Sequence, residues 1–462
     1  MSGKGETIAA ISTANGNGGV AIVRVSGPDA LAVAEGLFRP SGKTPVRCFE
    51  PYRMYPGQIV AEMFTDYGLC VYFRGPHSYT GEDTVELNCH GGRKIAEGIL
   101  RRAFALGARP AEAGEFTKRA FLNGKITLSA AEGIVDMINA SSESMIRAGY
   151  SLYRNELGSR VKGIQDRLRT LLAGIEAAID YPEEDLPETD SGLAGLRRTA
   201  GEICAELEGL ARSYERRGRM VKSGIGVAIV GLPNAGKSSF LNAVLGSDKA
   251  IVSDLKGTTR DVIDGELLYE GILFRFFDTA GLCESADTIE RIGIERAKKV
   301  MEGADIVLHI VDGSQPPRAE DGEIRRLIGG QSHLWRAEII NKRDILSPDR
   351  QKPDGGAAAG GFPVFYVSAL TGENISGFLS SLCGAVSGQY APDSGLIVEE
   401  RHYRAIREAA SSLARVRDDE GTSLDWLTVD IEQAWRSLGE ITGETASEEI
   451  IGEIFSKFCV GK

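Results

Sequence analysis

The sequence is poor in the residues that hold zinc or form disulfides. It has seven cysteines, none of them in a C-x-x-C pair, and only five histidines. Neither a zinc site nor a disulfide framework is therefore predicted. A chain without a disulfide framework fits a reducing compartment, so a cytoplasmic protein is expected.

Long apolar runs and an excess of positive charge are missing as well. No apolar stretch approaches the roughly 20 residues of a membrane helix, and the polar N-terminus has no run typical of a signal peptide. We therefore expect no membrane association. The formal net charge of −12 argues against a general nucleic-acid binder, so an RNA contact needs a local basic patch or a partner. Residues 212–222 hold five basic side chains, for which a solvated helix end is the simpler interpretation.

A phosphate-binding motif is present at residues 231–239. It fits G-x-x-x-x-G-K-S, follows an apolar stretch that predicts a strand at 225–230, and precedes a predicted helix at 238–245. This strand–loop–helix context directs backbone N–H groups at phosphates. We expect Lys237 to reach the β- and γ-phosphates and Ser238 to hold Mg²⁺; a glycine-rich turn before an ordinary helix is the alternative. The nucleotide-binding residues predicted from this loop are Asn234, Ala235, Gly236, Lys237, Ser238 and Ser239.

Four further motifs follow in an order that resembles the translation-factor-type GTPases. Residues 257–261 offer threonine hydroxyls to the metal, and residues 278–281 offer an aspartate to Mg²⁺ and a glycine N–H to the γ-phosphate. The N-K-x-D motif at 341–344 ends in an aspartate that accepts two hydrogen bonds from guanine, which adenine cannot supply together. Residues 368–369 can close over the base. The nucleotide-binding residues predicted from these motifs are Thr258, Thr259, Asp278, Thr279, Ala280, Gly281, Asn341, Lys342, Asp344, Ser368 and Ala369.

Many GTPases orient the attacking water with a glutamine directly after the D-T-A-G motif, and this sequence has no glutamine there. The position is Leu282, which cannot orient water. Glu290 is a candidate because a carboxylate in this region can orient or activate water. An exposed helix carboxylate is an equally good interpretation of Glu290, and no arginine finger is identifiable from the sequence.

The periodicity of apolar residues predicts a multidomain fold of α/β and α type. Residues 1–124 are predicted to form an α/β domain because strand and helix patterns alternate there. Residues 125–219 and 386–462 follow helical spacing, and we expect them to form one bundle. A Ras-like P-loop domain of α/β type, residues 220–385, is then an insertion into that bundle. Residues 445–448 fit a capping box for the last helix.

Stretches outside the nucleotide motifs resemble a known family. They are His90–Gly92, Gly114–Lys125 and the terminal Phe458–Lys462. Together with the P-loop, they are similar to the MnmE (TrmE) family of tRNA modification GTPases over essentially the whole chain. The resemblance implies a tetrahydrofolate-binding N-terminal domain that forms a homodimer, followed by a helical domain carrying the inserted G domain.

The resemblance also implies a reaction and its cofactors. Members act with the FAD-dependent protein MnmG (GidA) in a heterotetramer, and add a carboxymethylaminomethyl or aminomethyl group to carbon 5 of the tRNA wobble uridine. The carbon is expected from 5,10-methylene-tetrahydrofolate, and 5-formyl-tetrahydrofolate is a related ligand. Mg²⁺ and K⁺ are the expected metal ions.

Residue roles carry over from the same resemblance. It makes Glu290 the water-orienting carboxylate and places K⁺ where an arginine finger would be. The residues expected at K⁺ are Asn234, Ser253, Leu255 and Thr258, those at Mg²⁺ are Ser238 and Thr259, and those at the folate are Arg24, Glu86, Lys125 and Lys462.

The terminal residues 458–462 have two interpretations. Chain ends are usually frayed, so a disordered stub with a surface thiol is one. The other is that the last helix aims the tail at the folate pocket, with Cys459 near the transferable carbon and Lys462 near the folate. A thiol needs a lowered pKa to act as a nucleophile, and no neighbour that would lower it is identifiable from the sequence.

Two other classes of GTPase are alternatives. A ribosome-assembly GTPase usually carries a KH-like RNA module or a second G domain. The sequence shows neither a G-x-x-G clamp in a basic setting nor a repeated P-loop. A purely regulatory G protein would not explain a folate-type first domain.

Overall fold

The computed structural model describes most of the 462 residues. The described ranges are 5–180, 193–247, 265–278, 301, 303–316, 318–330, 335–346, 361–390, 399–418 and 424–462. The chain forms two compact units. The first contains Met1–Ile138, Gly149–Ile203 and Glu408–Lys462, and the second contains Asn139–Ala148 and Cys204–Arg407.

The first unit contains a seven-stranded sheet in the order β3-β4-β5-β6-β2-β1-β7. Neighbouring strands are antiparallel except for β1 and β7, which are parallel. The strands are β1 (Ile8–Ile11), β2 (Val20–Ser26), β3 (Phe38–Pro40), β4 (Met54–Val60), β5 (Thr65–Phe73), β6 (Thr84–His90) and β7 (Arg109–Pro110).

One face of this sheet is covered by the helices Ala30–Leu37 and Arg93–Ala105, with a short 3₁₀ turn at Val46–Cys48. The side chains of β2 alternate, so Val23 and Val25 are buried in the core beneath these helices. Arg24, between them, projects from the opposite face because successive strand residues point to opposite sides.

Helical segments follow the first sheet in the sequence and return at the end of the chain. Their apolar positions recur every three or four residues, so that Val161, Ile164 and Leu168 are all buried. Gln165 donates a hydrogen bond to the Trp435 carbonyl at 3.2 Å and joins two of these helices. The helices are Glu115–Leu122, Leu128–Ile138, Glu143–Tyr153, Glu156–Asp180, Leu193–Ser213, Arg219–Ser223, Glu400–Asp418, Leu424–Thr442 and Glu448–Ser456, with a π-helical turn at Tyr214–Gly218.

The N-cap of the last helix lies two residues after the predicted N-cap, Thr445. The observed N-cap is Ser447, and the Ser447 side chain accepts a hydrogen bond from the Ile450 N–H. Thr445 instead donates its hydroxyl to the Arg436 carbonyl at 2.6 Å, so the prediction of a cap at Thr445 is wrong. The predicted apolar face of the helix is confirmed, with Ile454 and Phe458 buried.

The second unit contains a six-stranded sheet in the order β13-β12-β11-β8-β10-β9. Only the β9–β10 pair is antiparallel. The strands are β8 (Ile225–Val230), β9 (Gly265–Tyr269), β10 (Ile272–Asp278), β11 (Ile306–Asp312), β12 (Trp335–Asn341) and β13 (Val364–Tyr366). The helices described in this sheet region are Lys237–Leu245, Ala319–Gly329 and Ile375–Tyr390, with a 3₁₀ turn at Arg343–Ile345.

The predicted P-loop domain and helical segments are therefore present. Helices that precede and follow the nucleotide motifs in sequence, Glu156–Asp180 and Leu424–Thr442, belong together in the first unit, as expected when a domain is inserted between them. The residue boundaries proposed for the three domains stay predictions. None of the helices in the described ranges is long and apolar enough to span a membrane.

Candidate nucleotide-binding site

The P-loop lies at the carboxyl end of β8, and two of its glycines have no room for a side chain. Gly231 has φ of +154°, and a Cβ there would lie 2.3 Å from the Ile310 carbonyl oxygen. Gly236 has φ of +89°, and a Cβ there would lie 2.3 Å from the Asn341 amide nitrogen. Both distances are shorter than van der Waals contact, so this loop conformation requires glycine at both positions.

Lys237 begins the helix that follows the loop. The side chain is buried, and its Nζ donates to the carbonyls of Gly231 and Leu232 at 3.1 Å each. The ammonium is thus held over the loop that bears the N–H groups. A positive side chain, a helix N-terminus and a glycine loop together favour bound phosphate. Ser238 and Ser239 occupy the same first turn, and Asn234 precedes it with φ of +63°.

Asn341 connects three of the predicted motifs. Its Nδ2 donates to the Ala235 carbonyl of the P-loop at 3.1 Å. Its Oδ1 accepts hydrogen bonds from the N–H groups of Lys342 at 2.8 Å and Ala369 at 3.0 Å. The side chain is almost fully buried. The structure therefore brings the phosphate loop and both base-binding motifs to one place at the end of the sheet.

The aspartate of the N-K-x-D motif is held by the next motif. Ser368 is fully buried, and its hydroxyl donates to Asp344 Oδ1 at 2.6 Å. The Ser368 hydroxyl also accepts from the Thr371 N–H at 3.2 Å. Asp344 itself is exposed, so its carboxylate is oriented by Ser368 while remaining open to two donors of a purine base.

Sequence reasoning missed Asp312 at the end of β11. The Asp312 carboxylate lies 2.6 Å from Lys342 Nζ and accepts two hydrogen bonds from Ser314. Burial alone would raise the pKa of Asp312, but the hydrogen bonds from Lys342 and Ser314 hold that pKa below its usual value. An apolar strand ending in aspartate was the available signal, since carboxyl ends of parallel strands meet at one edge.

Several predicted site residues lie outside the described part of the chain. They are Ser253, Leu255, Thr258, Thr259, Thr279, Ala280, Gly281, Leu282 and Glu290. The backbone of Asp278 is described and ends β10, paired with Ile229 of β8. This register puts the carboxyl end of β10 at the same edge of the sheet as the P-loop.

A second group of predicted residues lies in the first unit. Arg24 Nε is 2.8 Å from Glu86 Oε1, and the Arg24 guanidinium lies 5.6 Å and 5.5 Å from the ring centres of Tyr79 and Phe116. Lys125 donates to the Pro76 carbonyl at 2.9 Å. Lys125 thereby contacts the segment that leads to Tyr79, while Arg24 and Glu86 pair across β2 and β6.

A cavity lies elsewhere on the same sheet. It is open to solvent on one side, has a volume of about 280 Å³ and is lined by residues 13–18 and by Gly91, Gly92 and Arg93 at the start of a helix. The four residues predicted to bind folate do not line it. Gly16, Asn17 and Gly18, which belong to a glycine-rich stretch without the lysine of a nucleotide loop, thus line a cavity.

The C-terminal tail is tied to the N-terminal sheet region. Val460 pairs with Ala113 in an antiparallel bridge, and the Gly114 N–H donates to the Cys459 carbonyl at 3.5 Å. Gly461 is buried at φ of +101°, where a Cβ would lie 2.0 Å from the Ile11 carbonyl oxygen. The interpretation as a frayed stub is wrong, because these contacts fix the tail. Cys459 remains exposed.

Comparison with known proteins identifies the family. A model described as the MnmE helical domain matches residues 128–459, more than half of the chain. A model described as the GTP-binding protein TrmE N-terminus matches residues 7–125. The chain belongs to the MnmE family.

Relatives in the MnmE family are similar over their whole length. The protein named tRNA modification GTPase MnmE from Symbiobacterium thermophilum is 41% identical over 99% of both chains. Proteins of the same name from Heliobacterium modesticaldum and Neisseria gonorrhoeae are each 38% identical. They align with 99% and 100% of this chain, and with 100% of their own lengths. Membership of the MnmE family therefore applies to both compact units.

Proposed function

We propose that this chain binds and hydrolyses GTP and uses the nucleotide cycle in modification of tRNA. The observation that carries the GTP part is the Asn341 side chain, which joins the P-loop to both base-binding motifs. The Ser368–Asp344 hydrogen bond adds an oriented carboxylate for guanine. The names of the full-length relatives support the tRNA part.

The phosphate side of the site supplies charge and positioning. Lys237 and the N–H groups of the loop would stabilise the negative charge that develops in phosphoryl transfer. Ser238 and Thr259 would hold Mg²⁺, which when bound neutralises charge on the β- and γ-oxygens. Glycine at 231 and 236 lets the loop pack against Ile310 and Asn341, which fixes the conformation that presents its N–H groups. Asn234 would hold K⁺, with Ser253, Leu255 and Thr258 as its further ligands, and K⁺ supplies positive charge.

Glu290 is proposed to orient the attacking water, because Leu282 cannot do so. The dimeric state and the pairing of two G domains across the nucleotide belong to the same proposal. They would make the hydrolysis rate depend on protein concentration.

The first unit is proposed to bind a reduced folate. The Arg24–Glu86 pair beside Tyr79 and Phe116 offers charged hydrogen-bonding groups next to aromatic rings, which suits a planar heterocycle with polar edges. Lys125 and Lys462 would contact the folate or its carboxylates. Folate supplies a one-carbon unit for carbon 5 of the wobble uridine, and the FAD-dependent MnmG is the proposed partner in a heterotetramer.

The GTPase proposal predicts a cation-dependent rate. Hydrolysis should be faster in K⁺ than in Na⁺, and its specific rate should rise with protein concentration. Glu290→Ala should lower turnover by about 10²–10⁴-fold, the usual range for loss of a general acid or base, while GTP affinity stays near that of the parent. Glu323→Ala, at an exposed helix position, is the matched control and should leave the rate unchanged. Turnover indifferent to the cation and to Glu290 would refute this mechanism.

A further inference from the structure

A buried histidine lies beneath the nucleotide site in the middle of β11. His309 is fully buried, and its two ring nitrogens each lie 3.5 Å from a carboxylate oxygen, one of Asp321 and one of Glu338. Both distances exceed an ordinary hydrogen bond. Charge attraction rather than a directed hydrogen bond therefore ties the ring to its neighbours.

The two carboxylates come from different elements. Asp321 is in the first turn of the helix Ala319–Gly329, and Glu338 is on β12 directly opposite His309 in the parallel register. Both are almost fully buried. A buried ionised carboxylate is costly unless a positive charge compensates it, so this layer between helix and sheet needs cations.

Among the described residues, two arginines reach this layer: Arg336 of β12 donates to the Ile328 carbonyl of the helix at 3.4 Å, and Arg325 contacts a carboxylate. Arg325, on the same helix as Asp321, donates two hydrogen bonds to Glu338 at 2.5 and 2.9 Å. The β8 residues that face this layer, Ala228 and Val230, are apolar. Within the contacting group of His309, Asp321, Glu338 and Arg325, two carboxylates face one guanidinium, and a proton on His309 would balance the remaining negative charge.

The charged neighbours of His309 also favour the protonated form of its ring. Burial by itself lowers the pKa of His309, but the carboxylates of Asp321 and Glu338 outweigh burial and raise that pKa above the usual 6.5. Burial by itself would raise the pKa of Glu338, but the neighbouring His309 and the hydrogen-bonded Arg325 outweigh burial and lower that pKa.

The cluster is connected to guanine recognition through the two strands. β11 continues from His309 to Asp312, and β12 continues from Glu338 to Asn341, the residue paired with Asp312. Asp312 holds Lys342, and Asn341 holds the P-loop. A change that loosens the helix Ala319–Gly329 from these strands would therefore disturb residues that hold the nucleotide.

We propose that a proton on His309 fastens the helix Ala319–Gly329 to β11 and β12, and that loss of this proton above neutral pH loosens the helix and weakens guanine-nucleotide binding. A group with a raised folded-state pKa stabilises the fold below its unfolded value, about 6.5, and that stability is lost as pH rises through the folded value. The nucleotide part rests on the proposed function, whereas the proton and the helix do not.

The test uses the full-length protein between pH 6 and 9. Histidine side-chain NMR, with the His309 signal assigned by its loss in His309→Gln, should show that the proton is retained well above pH 6.5. Hydrogen exchange should show the helix 319–329 opening more often as His309 deprotonates. Asp321→Asn should shift the His309 titration to lower pH without removing the histidine.

GDP affinity provides the second readout. In the parent protein it should fall by up to about tenfold across this range, within the usual coupling of roughly 5–150-fold between two sites of a protein. His309→Gln should flatten the profile, while His77→Gln, at an exposed histidine, should keep it.

Three outcomes would overturn the proposal. These are a His309 proton lost at or below pH 6.5, helix exchange with no dependence on that proton, or the same affinity profile in His309→Gln as in the parent. If the protein bound no guanine nucleotide at all, the proposed function would fail, and NMR and hydrogen exchange would still decide whether His309 holds the helix.

Discussion

Asn341 shows how much of the nucleotide site depends on one side chain. Its amide joins the P-loop carbonyl of Ala235 to the N–H groups of Lys342 and Ala369. Asn341 thus acts as a brace between loops as well as a member of the base-binding motif. Gly236 completes the arrangement because any larger residue would occupy the position of the Asn341 amide.

At the residue scale, Asp344 should determine which base is bound. Asp344→Asn replaces a carboxylate that accepts from guanine N1–H and the exocyclic amine with an amide that can donate to the oxygen of xanthine. GTP affinity should fall by at least about tenfold, since a hydrogen bond to a charged group contributes roughly 1.5–3 kcal/mol. Affinity for xanthosine triphosphate should rise.

Titrations with both nucleotides test this exchange. Asp166→Asn, at an exposed position of the first unit, is the control and should keep the preference for GTP. Equal GTP affinity in Asp344→Asn and the parent would contradict the assignment of Asp344 to the base.

The sequence predicted some residues of the nucleotide site and missed others. Asp344 was predictable because the N-K-x-D pattern is local. Asp312 was not predicted, because its role depends on the pairing of β11 with β12. That pairing places Asp312 beside Asn341. His309 reads as one polar residue in an apolar strand, and its two carboxylate neighbours are distant in sequence.

At the element scale, a buried ion network holds the helix Glu115–Leu122 in the first unit. Glu115 accepts two hydrogen bonds from Arg109 and is 2.9 Å from Arg119. Arg119 also donates to the Glu6 carbonyl and to Glu82. Burial alone would raise the pKa of Glu115, but these arginines and the Glu112 N–H lower it to about 2.

This network predicts acid sensitivity in the first unit. Because the folded pKa of Glu115 is depressed from 4.5 to about 2, its stabilisation is present above pH 4.5 and is lost as pH falls towards 2. The contribution is of the order of 3 kcal/mol. Hydrogen exchange of residues 109–122 should increase over that interval in the parent protein.

Glu115→Gln should exchange faster at pH 7 and respond less to acid. Glu97→Gln, at a surface pair with Arg93, is the matched control and should leave exchange in this region nearly unchanged. An unaltered acid profile in Glu115→Gln would show that the network does not stabilise the helix.

The terminal element depends on Gly461. A side chain there would meet the Ile11 carbonyl at 2.0 Å and would require a left-handed conformation. Gly461→Val should displace the tail that carries Cys459 and Lys462, and should abolish tRNA modification while GTP hydrolysis remains near normal. Cys459→Ser and deletion of the last four residues should have the same effect.

Gly452→Ala is the control for this change, because Gly452 lies in the last helix with no atom near its missing Cβ. A Gly461→Val protein that modified tRNA at the parental rate would mean that the docked tail has no role in the reaction.

The elements themselves were largely predictable. The period of apolar residues predicted β8 and the helix after the P-loop, and it also predicted the buried face of the last helix. The cap of that helix was misplaced because Thr445 and Ser447 are both good capping residues, and the choice depends on where the chain turns. The docking of the tail was not fixed by its sequence, since its partners, Ile11 and Ala113, are more than 300 residues away.

At the scale of the whole molecule, sequence order and spatial order differ. The tail at the end of the chain meets the sheet formed by its beginning, and both belong to the first unit. The nucleotide motifs occupy the second unit. The inserted arrangement was predictable from the return of helical spacing after the last nucleotide motif, whereas the joining of the first sheet and the helices into one compact unit was not.

The central claim is that guanine-nucleotide turnover in the second unit drives tRNA modification. The direct measurement is mass spectrometry of the wobble nucleoside after incubation of tRNA with the Asp344→Asn protein, the FAD-dependent partner and methylene-tetrahydrofolate, with either nucleotide. We predict modified uridine with xanthosine triphosphate and little with GTP, and the reverse for the parent protein. The claim would be contradicted if the variant modified tRNA equally with either nucleotide, or if it modified tRNA without any nucleotide.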